Sequence, residues 1–109
     1  MTVRELKDRL SLTEIAMPSP NREVVGAYVG DLLSWVMSRA RENNAWVTVM
    51  SNSNVIAVAL HAKVALVILS DGVTLDETTV TLANEKGVNV LSSKLSSFEI
   101  SGKLYSLYI

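Results

Sequence analysis

Four short polar stretches hold the residues of this sequence that are suited to chemistry: Gly30-Asp31, Ser51-Asn52-Ser53-Asn54, Ser70-Asp71-Gly72 and Ser92-Ser93-Lys94. Each follows an apolar, β-branched run and precedes or approaches a helical pattern. In an open parallel sheet, that is where loops leave the carboxyl ends of strands and meet helix N-termini, the usual place for a small ligand. The candidate contacts are therefore Asp31, Ser51, Asn52, Ser53, Asn54, Ser70, Asp71, Gly72, Ser92, Ser93 and Lys94. The hydroxyls and amides would hydrogen-bond the ligand, and Lys94 would complement an anion. Taken one by one, the same Ser, Asn and Asp residues also read as ordinary helix caps, and Asp31 in particular sits where an N-cap belongs.

The remaining chemistry is excluded by what is missing. No G-x-x-x-x-G-K-[ST] or G-x-G-x-x-G occurs, so nucleotide phosphates have no Gly-rich cradle. His61 is the single histidine and cysteine is absent, which leaves no metal-ligand set, no thiolate nucleophile and no disulfide. The serine-rich loops lack a G-x-S-x-G elbow, so a hydrolase reading fails. The expectation is a protein that is not an enzyme and has no cofactor.

The elements that position these loops follow from periodicity. Thr2 and Glu5 fit a capping box ahead of a helix with Val3, Leu6 and Leu10 on one stripe, and Leu12 to Met17 reads as a brief extended piece. Pro18-Ser19-Pro20-Asn21 is a turn. Glu23 to Val29 predicts a strand, and Asp31 opens a helix with Leu32, Leu33, Val36, Met37 and Ala40 facing the core and Asn43-Asn44 as its stop. Trp46 to Met50 is a strand. Val55 to Lys63 is read as a helix, capped by Ser53 or Asn54, because of its alanines at 57, 59 and 62; a strand hairpinned to WVTVM is the other option. Val64 to Leu69 has no polar alternation, as in a central strand covered on both faces. Asp76 caps a further helix closed by Gly87, with Leu75 and Val80 as a hydrophobic staple. Val88 to Leu91 is the next strand, and Ser96 with Glu99 starts a last helix through Leu104. The fold class is α/β: a small three-layer α/β/α sandwich on a parallel sheet of about four strands.

The 109 residues make one domain, 1–109. They are 49% hydrophobic and only 19% charged, which favours a homodimer that covers apolar surface such as Trp35, Trp46 and the Tyr105 to Ile109 tail. With 10 basic and 11 acidic residues and no basic cluster, nucleic-acid binding has no electrostatic support. No apolar run approaches the ~18 residues of a membrane span, and MTVRELKDRL lacks the apolar core of a signal peptide. A cytoplasmic location is expected.

The run from Val29 to Phe98, with VGDLLSWV, ALVILSDG, LANEKGVNVLSS and SSFE, resembles the DRTGG domain, which is similar to the N-terminal domain of HPr kinase/phosphorylase and accompanies CBS domains and long phosphotransacetylases. The resemblance implies a parallel α/β regulatory domain without catalytic activity, often dimeric, that binds a small ligand or a partner protein. Stand-alone members lie near iron-only hydrogenase and electron-transfer genes, which implies a redox-complex protein partner. Where the family has its Asp-Arg pair this chain has Ser53-Asn54, and where Thr-Gly-Gly would follow the central strand it has Ser70-Asp71-Gly72. Loss of the Arg removes the residue best suited to bidentate anion binding in that loop. The leading expectation is a regulatory module for a small ligand, nucleotide or other phosphate, or for a partner protein. The alternative is a homodimeric interaction subunit without ligand, associated with a hydrogenase or electron-transfer system.

Overall fold

Helix α1 (Val3–Leu10) starts where the sequence requires it: the Thr2 hydroxyl accepts from the Glu5 amide while the Glu5 carboxylate accepts from the Thr2 amide. The computed structural model describes residues 1–108. After α1 come β1 (Thr13–Ala16), β2 (Ala27–Val29), α2 (Leu33–Arg39), β3 (Ala45–Thr48), α3 (Asn54–Ala62), β4 (Leu66–Leu69), α4 (Glu77–Lys86), β5 (Val90–Ser92) and α5 (Ser97–Tyr108). The strands form one sheet in the order β1-β5-β4-β3-β2, parallel except for β1, which runs antiparallel to β5. The four parallel strands match the expected number, and the extended piece after α1 adds a fifth at the far edge.

This order explains the layers. From β2 to β5 each crossover steps to the next strand in the same direction, so right-handedness places α2, α3 and α4 on one face. Trp46, Val67, Leu69 and Val90 point to that face, with Val36 of α2, five residues of α3 and Ala83 of α4 in the same core. Ala45, Val47, Leu66, Ile68 and Leu91 point to the other, under Val3 and Leu6 of α1 and Ile100 and Leu104 of α5. The central strand β4 is buried throughout, which is why Val64 to Leu69 shows no alternation.

Several elements depart from the sequence reading. The strand expected from Glu23 shrinks to Ala27–Val29, because Gly26 takes a left-handed φ of +71° that ends regular pairing. Helix α2 begins at Leu33 behind Leu32, which offers no side-chain cap, and it ends at Arg39, before Asn43-Asn44. Leu32 and Met37 are exposed, so the buried stripe of α2 narrows to Val36 with Leu33 and Ala40 partly covered. At α3 neither Ser53 nor Asn54 supplies a cap; the Asn52 carboxamide oxygen accepts from the Asn54 amide instead. Helix α5 runs past Leu104 to Tyr108, with Gly102 exposed and nothing near its missing Cβ.

The Asp76 carboxylate accepts from the Thr79 amide, and this bond, then the Thr79 hydroxyl, holds its pKa below the usual value. Glu5 is held low by the Thr2 amide and then the Thr2 hydroxyl. A lowered folded pKa gives stability that is present above the unfolded value and lost as pH falls through the folded one. The melting midpoint is therefore expected to fall on acidification below the unfolded values of 3.8 and 4.5, and the Glu5→Gln/Asp76→Asn variant should lose part of that slope in a pH series of thermal melts.

Candidate functional site

All four polar stretches lie at the carboxyl end of the parallel strands, joined there by Ser11 and Thr13 because β1 is antiparallel. Along this rim the order is β1 start, β5, β4, β3, β2. Lys94 and Asp31 are thus three strand spacings apart, about 14 Å. The eleven candidate residues share one end of the molecule, spread along its rim.

Asp31 is a strap and not a helix cap. Its Oδ1 accepts from the Thr48 hydroxyl at 2.7 Å and from the Val49 amide at 2.9 Å, tying the loop after β2 to the end of β3. Thr48 is fully buried and its Oγ1 in turn accepts from the Met50 amide. Asp31→Ala is expected to cost about 1–2 kcal/mol in urea unfolding, since a buried hydroxyl loses its acceptor, while Asp31→Asn, whose amide oxygen can accept in place of the carboxylate oxygen, should recover most of it.

Between β4 and β5 the topology sends successive helices, α4 and α5, to opposite faces, which is where a parallel sheet opens a crevice. Here the two loops close it. Asp71 and Gly72, both left-handed at φ +58° and +70°, donate their amides to the Leu95 and Ser93 carbonyls at 2.8 Å each. The Ser70 hydroxyl is buried against the Ser97 hydroxyl at 2.8 Å, and Ser93 Oγ accepts from the Leu95 amide. The Ser70 side chain and the Asp71-Gly72 backbone are therefore spent on joining the loops, while the Ser93 hydroxyl accepts within its own loop; the Asp71 side chain is exposed and Ser92 half-buried.

The 51–54 loop is different. Ser51 is half-buried and Asn52, Ser53 and Asn54 are exposed, and among the described residues only Asn52 commits its side chain to an internal bond. Ser93 and Lys94 line a cleft of about 360 Å³ together with Arg9, Ser11, Thr13 and Lys103. Arg9 and Lys103 carried no sequence signal: only the antiparallel pairing of β1 with β5 brings the end of α1 to this corner, and Lys103 reaches it on α5. His61 is exposed in the last turn of α3, and among the described residues no three His, Cys, Asp or Glu side chains gather as a metal site.

A second surface lies at the opposite edge of the sheet. The exposed residues Val29, Tyr105 and Tyr108 flank a groove of about 340 Å³ between β2 and α5, floored by Gly26, Ala27 and Leu104. The Tyr108 hydroxyl donates to the Val24 carbonyl, and burial, then the Glu23 carboxylate, holds its pKa above the usual value. Trp35 is 52% exposed with the Arg39 guanidinium 3.9 Å over its ring, whereas Trp46 is wholly buried and takes no part in any surface. Ile109, the end of the tail assigned to a dimer surface, lies outside the described residues.

Among curated proteins nothing matches this sequence. Among solved structures, the chain is similar to the CBS and DRTGG domains of the regulatory region of Clostridium perfringens pyrophosphatase, a complex with its activator diadenosine tetraphosphate. Identity is 19% and the TM-score 0.69, over 94% of this chain and 45% of that one. The chain thus spans less than half of that structure, and the likeness establishes the fold. The family model for the DRTGG domain matches residues 19–107. With most of its length matched, from the turn before β2 to the last turn of α5, the chain belongs to the DRTGG domain family.

Proposed function

We propose that this protein is a non-catalytic regulatory module that receives a small ligand at the carboxyl end of its sheet. The observation that carries the reading is the 51–54 loop: four successive polar residues at the strand ends, of which Ser51, Ser53 and Asn54 leave their side chains free of internal bonds among the described residues. The neighbouring Ser70 and Asp31 side chains are committed to the fold, so the contrast separates residues kept for structure from residues left available. Support also comes from the regulatory setting of the pyrophosphatase domain, whose solved complex contains a dinucleotide activator.

A thermal-unfolding screen against adenine and guanine nucleotides, acetyl phosphate and sugar phosphates tests it, because a ligand that prefers the native state raises the midpoint by mass action. A dose-dependent rise that Asn54→Ala removes supports the loop as the contact. Asp71→Asn is the matching control at the next strand, since Asn tolerates the left-handed φ that Ala would not. A rise left intact by Asn54→Ala sinks the assignment.

The groove beside β2 favours a second reading, association with another copy of the chain. Gly26 and Gly30 bond toward β3, so Ala27 and Val29 turn their backbone groups outward at an edge that carries no charged residue from Val24 to Gly30. Light scattering at micromolar concentration should then give a dimer, and Val29→Lys a monomer. A monomeric parent protein would remove this reading.

A further inference from the structure

We infer that the cleft between the end of α1, the β5–α5 loop and α5 is an anion site that takes a small organic phosphate. Its charge is concentrated: Arg9, Lys94 and Lys103 line one space of about 360 Å³ in a chain whose net charge is -1. No carboxylate lines it, and among the described residues none of the three cations forms an ion pair, the one pair present being the Met1 amino group with Glu23.

The hydroxyls point to the same chemistry. Ser93 Oγ already accepts from the Leu95 amide, which leaves its proton to donate, and the side chains of Ser11 and Thr13 have no internal partner among the described residues. Six of the eight lining residues are these three cations and three hydroxyls, the others being Leu10 and Leu95; the polar set matches a group that is all acceptor oxygens and carries more than one negative charge. The volume lies at the lower end of small-molecule sites, which suits a phosphate ester.

The adjoining depression tells what the phosphate would carry. It shares Arg9, Leu10 and Lys103 with the cleft and continues over Leu107 to Phe98, whose ring is 86% exposed. Glu99 also borders this depression, with Oε1 held by the Ser96 amide and hydroxyl. An apolar or aromatic ring attached to the phosphate would lie against Phe98, so the ligand class is a phosphate ester of a ring-bearing group. This assignment goes beyond the 51–54 loop, two strand spacings or about 10 Å from β5, and does not depend on it.

The test uses the full chain, with inorganic pyrophosphate, AMP and adenosine as probes in calorimetric titrations at low and high KCl. Pyrophosphate and AMP should bind, more weakly as salt rises, and adenosine should not. Lys94→Ala/Lys103→Ala, both at exposed positions, should weaken both anions at least tenfold with an unchanged circular dichroism spectrum, and Phe98→Ala should weaken AMP alone. Absence of binding by either anion at millimolar concentration overturns the inference. So does binding that survives the double substitution, and so does binding lost in Asn54→Ala instead, which would return the ligand to the 51–54 loop.

Discussion

Trp46→Ala is expected to lower the stability by about 3–5 kcal/mol, which for a domain of ordinary stability leaves little or no margin. Trp46 is the largest fully buried side chain, set in β3 between the flanking strands and packed into the core shared with α2, α3 and α4. Its truncation removes most of a large apolar area and leaves a cavity that β3, paired on both sides, cannot collapse into. A polar loss adds to this, because the indole N–H donates to the Gly30 carbonyl at 2.9 Å and fixes the loop that carries Asp31. Trp46→Phe separates the two contributions: it keeps much of the packing and should cost about 1–2 kcal/mol, chiefly for the lost donor. Urea unfolding with an unchanged slope is the measurement, and a cost below 1 kcal/mol for the alanine variant would show that the loop and core do not depend on this residue.

Asn89→Asp should cost on the order of 3 kcal/mol or more at neutral pH. Asn89 is 1% exposed just before β5 and uses both ends of its amide: Oδ1 accepts from the Ser19 amide, and Nδ2 donates to the carbonyls of Ser19 and Ala65. It ties the Pro18 to Pro20 turn to the residue entering β4. A carboxylate there removes two donors and sets a buried charge against two carbonyl oxygens. Since the charged form is the disfavoured one, the folded pKa of the new Asp rises, and its penalty is relieved as pH falls. The variant should therefore gain in melting midpoint between neutral and mildly acid pH, where the parent protein does not. A variant whose deficit is the same at both ends of that range would contradict the assigned bonding.

The contrast between these two residues shows what was legible beforehand. The Val64 to Leu69 run was readable as a strand covered on both faces because such burial leaves a continuous apolar signature; Trp46 was readable as strand, but its side chain was assigned to an exposed dimer surface and is instead wholly buried. The Thr2-Glu5 and Ser96-Glu99 spacings named two helix starts that the hydrogen bonds bear out. Asn89 was not legible, since a buried amide looks in sequence like any polar residue near a turn. Asp31 misled for a related reason: an Asp ahead of a helical pattern is usually a cap, but here its partners, Thr48 and Val49, lie across the sheet end and 17 or more positions away. The direction of β1 was equally hidden. Its four residues show that a strand forms, not which edge it joins, and the approach of Arg9 to Lys94 and Lys103 depends on that pairing.

Val24 has a consequence of another kind. Its amide donates to the Met1 carbonyl and its carbonyl accepts from the Tyr108 hydroxyl, so the first described residue and the last are both fastened to this one buried residue. Loosening the segment around Val24 would therefore free Met1 and the last turn of α5 together.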